Sequence, residues 1–108
     1  MYTKLAKIYF EAFSNKDLNT LTNMFSDEIY LRDWEIDTKG KRNVTLATEN
    51  IFKSVDSIIA APQNIYQVER TIIAELEITI NNDEVILVVD IIQFDQHNLI
   101  ESIKAYKG

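Results

Sequence analysis

An α+β fold is predicted by three features of the sequence. Apolar residues recur at helical spacing through most of the chain up to Ala60, β-branched residues crowd the chain after Pro62, and 108 residues with 46% hydrophobic content suit one domain spanning 1–108. Helices first and turn-linked strands afterwards place three N-terminal helices on one face of an antiparallel sheet.

Leu5, Ile8, Tyr9, Ala12 and Phe13 fall at i, i+3, i+4, i+7 and i+8, with Lys4, Lys7 and Glu11 on the opposite face, which predicts a first amphipathic helix. Asn15-Lys16-Asp17 interrupts the pattern, and Leu18, Leu21, Thr22 and Phe25 resume it as a short second helix with Asp17 as its N-cap. Ile29 to Trp34 is rich in β-formers and reads as a strand; the polar stretch Glu35 to Asn43, which holds Gly40, reads as a loop or small hairpin. Val44, Ala47, Thr48, Ile51, Phe52, Val55, Ile58 and Ile59 return to helical spacing and predict a third helix running to Ala60. Beyond Pro62, Ile65 to Ile80 and Glu84 to Phe94 read as β-structure around the turn Asn81-Asn82-Asp83, and Asp95 to Asn98 turns into a last strand, Leu99 to Tyr106.

Within Ile72 to Ile80, Ile72, Ala74, Leu76, Ile78 and Ile80 share one face, while Ile73, Glu75, Glu77 and Thr79 share the other, which suggests partial solvation. Val85 to Phe94 is apolar on both faces, more than a strand wetted on one side needs. A homodimer packed through the sheet would cover the surplus.

Composition removes several function classes. A net charge of −6, from 17 acidic and 11 basic side chains, opposes attachment to phosphate backbones or anionic lipid, so neither nucleic acid nor a membrane is an expected partner. No apolar run is long enough for a membrane helix or a signal peptide, and there is no cysteine, so the chain reads as cytoplasmic. His97 stands alone in a turn, so no metal site is expected. The serines lack a glycine elbow, and no glycine-rich loop is present to cradle phosphate.

Three residues stand out chemically. The run Ile86-Leu87-Val88-Val89-Asp90-Ile91-Ile92 holds one carboxylate among six aliphatic neighbours. A buried carboxylate must be paired, hydrogen-bonded or protonated, so Asp90 is either structural, answered by Arg32, Arg70 or nearby backbone, or a functional acid with a raised pKa. Asp33 ends the first strand between Arg32 and Trp34, on the face of Leu31; it is either a solvated turn aspartate or a site carboxylate. Tyr9 lies on the apolar stripe of the first helix, where its hydroxyl sits at the core's edge or enters a cavity as a donor, with Phe13 and Phe52 placed to line the same cavity.

The element order, with Tyr-Phe-Glu-Ala-Phe-Ser-Asn-Lys-Asp-Leu (Tyr9 to Leu18), Met24-Phe25-Ser26-Asp27-Glu28 and Val-Val-Asp-Ile-Ile-Gln-Phe-Asp (Val88 to Asp95), resembles the NTF2-like superfamily over nearly the entire chain. The likeness is to its SnoaL-like and ketosteroid-isomerase-like branches. That resemblance implies a curved antiparallel sheet wrapped by helices into a cone enclosing a deep apolar pocket, and members that are often dimers. By position, Tyr9 resembles an oxyanion-hole tyrosine, Asp33 the general base, and Asp90 the protonated aspartic acid that completes the oxyanion hole. The implied chemistry is proton transfer next to a carbonyl, as in an isomerase or polyketide cyclase, on a small apolar or carbonyl-containing molecule without a cofactor. The alternative is a noncatalytic ligand-binding or dimerisation module of the same fold. Two positions depart from the isomerase pattern: Phe52 replaces a second tyrosine that buttresses the first, and Trp34 replaces a proline that often follows the base, reshaping the pocket mouth. Phe13, Trp34 and Phe52 are the implied ligand contacts.

Overall fold

The computed structural model describes residues 1–108. The chain runs α1 (Tyr2–Ser14), α2 (Leu18–Met24), β1 (Phe25–Arg32), β2 (Asp37–Lys39), α3 (Lys41–Ser54), β3 (Ile58–Val68), β4 (Thr71–Ile80), β5 (Glu84–Phe94) and β6 (Ile100–Lys107). The six strands form one unclosed sheet in the order β2-β1-β6-β5-β4-β3. Helix α1 packs on β3 and β4, and α3 packs on β1. No helix is long and apolar enough to cross a membrane. The α+β class and the three helices agree with the sequence, although β1 and β2 precede α3.

In α1 the buried residues are Ala6, Tyr9, Phe10 and Ala12, whereas Ile8 is 40% exposed. The predicted stripe is thus rotated, because α2 and β3 hold α1 from two sides and draw in Ala6 and Phe10. Asp17 caps α2 as predicted: its carboxylate accepts from the Thr20 backbone N–H at 3.2 Å and from the Thr20 hydroxyl at 2.6 Å.

Helix α3 departs from expectation at both ends. It starts at Lys41, with Gly40 as N-cap at φ 95°, a left-handed conformation that favours glycine. It stops at Ser54, not Ala60, because Val55 is extended and Ile58 to Ala60 pair with Ile80 to Ile78 of β4. Periodicity could not settle this boundary: Val55, Ile58 and Ile59 are β-branched and suit a strand as well as a helix. Tertiary contacts decide it. Lys16 Nζ donates to the carbonyls of Phe52, Val55 and Asp56 at 2.9, 2.7 and 3.1 Å, and Asn81 Oδ1 accepts from the Asp56 and Ser57 backbone N–H groups. Pro62 then lies inside edge strand β3 beside a bulge, where a missing N–H is tolerated.

The run Ile65 to Ile80 is two strands. They are separated by a two-residue turn at Glu69-Arg70, in which Glu69 takes φ 56° without a glycine or asparagine to announce it. The antiparallel expectation holds for every neighbouring pair except β1 and β6, which run parallel with Leu31 opposite Ile103 and Arg32 opposite Lys104. Along the inner face Leu31, Ile103, Ile92 and Ile72 form one continuous buried row, each fully buried side chain contributing about 1.5–3 kcal/mol. Two positions away lies the row Ala105, Asp90, Ala74. The alternation expected of β4 is present, with Ile72, Ala74, Leu76 and Ile78 buried and Glu75 and Glu77 exposed.

Candidate active site

Helices α1 and α3, the β1–β2 connection and the inner face of the sheet surround a cavity of about 230 Å³, lined by 21 residues of which 16 are hydrophobic. The others are Asp33, Glu35, Thr48, Ser54 and Asp90. Thr48 and Ser54 donate their hydroxyls to the helix carbonyls of Val44 and Ile51, so the carboxylates and the Tyr9 hydroxyl remain to meet a ligand.

Asp90 sits in mid-strand at 8% exposure. Its cross-strand neighbours on both sides are alanines, Ala74 and Ala105, and Ala105 lines the cavity beside it. Neither cation offered by the sequence answers it: Arg32 is paired with Asp37 at 2.9 Å, and Arg70 is exposed in the β3–β4 turn. Burial first, and the Asp33 charge second, push the Asp90 carboxyl from 3.8 up to about 7.

Tyr9 is buried in α1 with its side chain lining the same cavity. Burial, followed by the charge of Asp90, pushes its phenol well above the ordinary range, so it is a neutral donor at any physiological pH. Asp33 follows the last residue of β1 and turns the chain back. Its Oδ1 accepts from the Glu35 and Ile36 backbone N–H groups at 2.7 and 2.6 Å, and its own N–H donates to the Ile36 carbonyl. Both sequence readings of Asp33 therefore meet in one side chain: Oδ1 belongs to a turn, while the half-buried carboxylate also lines the cavity.

Phe13 and Trp34 line the cavity too, Trp34 at 44% exposure on the connection that borders its mouth. Phe52 does not; it packs edge-on behind Phe13 with ring centroids 5.1 Å apart. Thr48, Ile51 and Val55 are lining residues whose helical spacing was visible in the sequence. Which members of that stripe face a void and which face packed neighbours was not. Ile36, Glu35 and Ile86 were missed because only the folded connection and the strand register bring them there.

No protein-family model matches the chain, and no curated protein matches its sequence. Solved structures do match it. An NTF2-like protein of unknown function from Cytophaga hutchinsonii superposes with a TM-score of 0.84 at 9% identity, over 100% of this chain and 90% of that one. A candidate SnoaL-like polyketide cyclase from Shewanella denitrificans gives 0.86 at 15% identity, over 99% and 90%. A candidate ketosteroid isomerase from Kribbella flavida gives 0.84 at 10% identity, over 99% and 77%. The fold of this chain is therefore the NTF2-like fold in the form shared by SnoaL-like proteins. At such identities the likeness concerns backbone arrangement and leaves chemistry to be argued from the site.

Proposed function

We propose that this chain is a cofactor-independent isomerase or cyclase that moves a proton next to a carbonyl. The observation that supports it is the shared cavity: Tyr9, Asp33 and Asp90, far apart in sequence, line a single, mostly apolar hollow together with Glu35. Asp33 takes the proton from carbon through Oδ2, the oxygen not held by the turn. Tyr9 and protonated Asp90 donate to the developing enolate oxygen, in a setting dry enough to make those donations count. The cavity is smaller than the roughly 300–1,000 Å³ of drug-sized ligand sites, which favours a substrate of one or two rings.

Exchange of the hydrogens beside the carbonyl of a small cyclic enone, followed by NMR in D2O, tests this reading. The wild-type chain should exceed the buffer rate, Asp33→Asn should lose at least about 100-fold, and Tyr9→Phe about 100- to 1,000-fold. The wild-type rate should also fall as pH rises above about 7, where Asp90 gives up its proton. Exchange equal in wild type and Asp33→Asn would sink the assignment.

The engagement of Asp33 Oδ1 by two backbone N–H groups favours one other reading, a ligand-binding module without turnover. It expects equal ligand stabilisation of wild type and Asp33→Asn, with no exchange in either. On both readings a second copy of this chain covers the outer face of β3 and β5, where Tyr66, Val68, Val85 and Leu87 each keep more than half their surface exposed.

A further inference from the structure

The parallel pairing of β1 with β6 has a chemical consequence. It brings the C-terminal ends of both strands to one corner of the sheet and sets Arg32 directly beside Lys104. Like charges opposite one another on a sheet are destabilising unless something answers them. Lys107 joins them, its Nζ 5.7 Å from the centroid of the Trp34 ring. Together with Tyr30 and Tyr106 these residues line a groove of about 580 Å³. In a chain of net charge −6, this groove holds three cations and one carboxylate, Asp33. Asp37 already engages Arg32 at 2.9 Å, which leaves Lys104 and Lys107 free of any ion pair.

The groove carries Arg32 and Lys104 on the outer face of the sheet and adjoins the inner-face cavity beyond the end of β1. Asp33, Trp34 and Ala105 line both, while Glu35 lines only the cavity. Trp34 stands where the two spaces meet, with one lysine already over its face.

We infer that the groove is a subsite for an anionic group on the substrate: the molecule places its carbonyl end in the cavity and extends a carboxylate, sulfonate or phosphate past Trp34 to Lys104 and Lys107. This rests on the cavity being the ligand site, and it narrows the substrate class to small aromatic or conjugated organic anions. Lys104 and Lys107 are specificity residues here; they do not touch the reacting atoms.

Two phenols that share a body and differ in tail charge separate this inference from the reading beneath it. The neutral compound is para-propylphenol and the anionic one is para-hydroxyphenylpropanoate, each titrated calorimetrically into wild type and into Lys104→Gln/Lys107→Gln. The wild type should bind the propanoate about tenfold more tightly, the preference should shrink at high salt because the lysines are exposed, and the double variant should lose it while keeping its affinity for propylphenol. Equal binding of both compounds by wild type, or a preference that survives the double substitution, overturns the subsite and leaves the cavity reading standing. Failure of the propanoate alone to bind wild type overturns the subsite, and failure of both compounds overturns both readings.

Discussion

Asp90 lies in the inner row Ala105, Asp90, Ala74, and its protonation couples the site to stability. The unfolded chain releases this proton near 3.8 and the folded chain near 7, so between those values the native state holds a proton that the unfolded state does not. The stabilisation linked to that proton is fully present below about 4 and is lost as pH rises toward 7, a change of roughly 4 kcal/mol. Asp90→Asn should therefore unfold in urea with a flatter pH dependence and exceed wild type in stability at about pH 8. Asp33→Asn removes the charge that adds to the shift and should make the loss smaller and complete it at a lower pH than in wild type. Identical pH slopes in wild type and Asp90→Asn would show that the carboxyl is not desolvated as described.

At the level of elements, α3 ends where other parts of the chain end it. Lys16, at φ 54° in the α1–α2 corner, reaches the carbonyls of Phe52 in the last turn of α3 and of Val55 and Asp56 just past it. A half-buried ammonium serving three acceptors is worth more than an ordinary surface contact. Lys16→Met keeps the apolar stem and removes the donors; we expect a loss of about 2 kcal/mol, a fall in Tm of roughly 10 °C for a domain of this size. Because α3 carries the cavity residues Thr48, Ile51 and Ser54 and is followed by Val55, which also lines it, the same variant should weaken phenol binding measured below its Tm. An unchanged Tm would mean that the helix end is fixed by Asn81 and strand pairing alone.

For the whole molecule, the sheet divides the labour between its faces. The inner face supplies the core and the cavity floor, whereas the outer face of β3 and β5 exposes Tyr66, Val68, Val85 and Leu87. If a second copy covers that face, sedimentation at micromolar concentration should give twice the monomer mass, and Leu87→Asp, which puts a charge on one of its exposed apolar positions, should give the monomer mass. A wild-type chain that sediments as a monomer even at about 100 μM would remove the dimer, since contacts too weak to form there fall below about 5–6 kcal/mol.

What the sequence determined by itself are the properties set by near neighbours: the α1 and α2 helices, the Asp17 cap, the Asn81–Asp83 turn, the alternation of β4 and the anomaly of one carboxylate among aliphatic residues at Asp90. Each depends on residues within a few positions, where helical or strand period and capping chemistry are local. Only the tertiary structure decided the end of α3, the split at Glu69-Arg70, the parallel approach of β1 to β6 and the exclusion of Phe52 from the cavity. Those depend on which distant groups meet: Lys16 with the carbonyls of α3, Arg32 with Lys104, Ala74 and Ala105 with Asp90. Long-range register is a property of the packed sheet, and no window along the chain contains it.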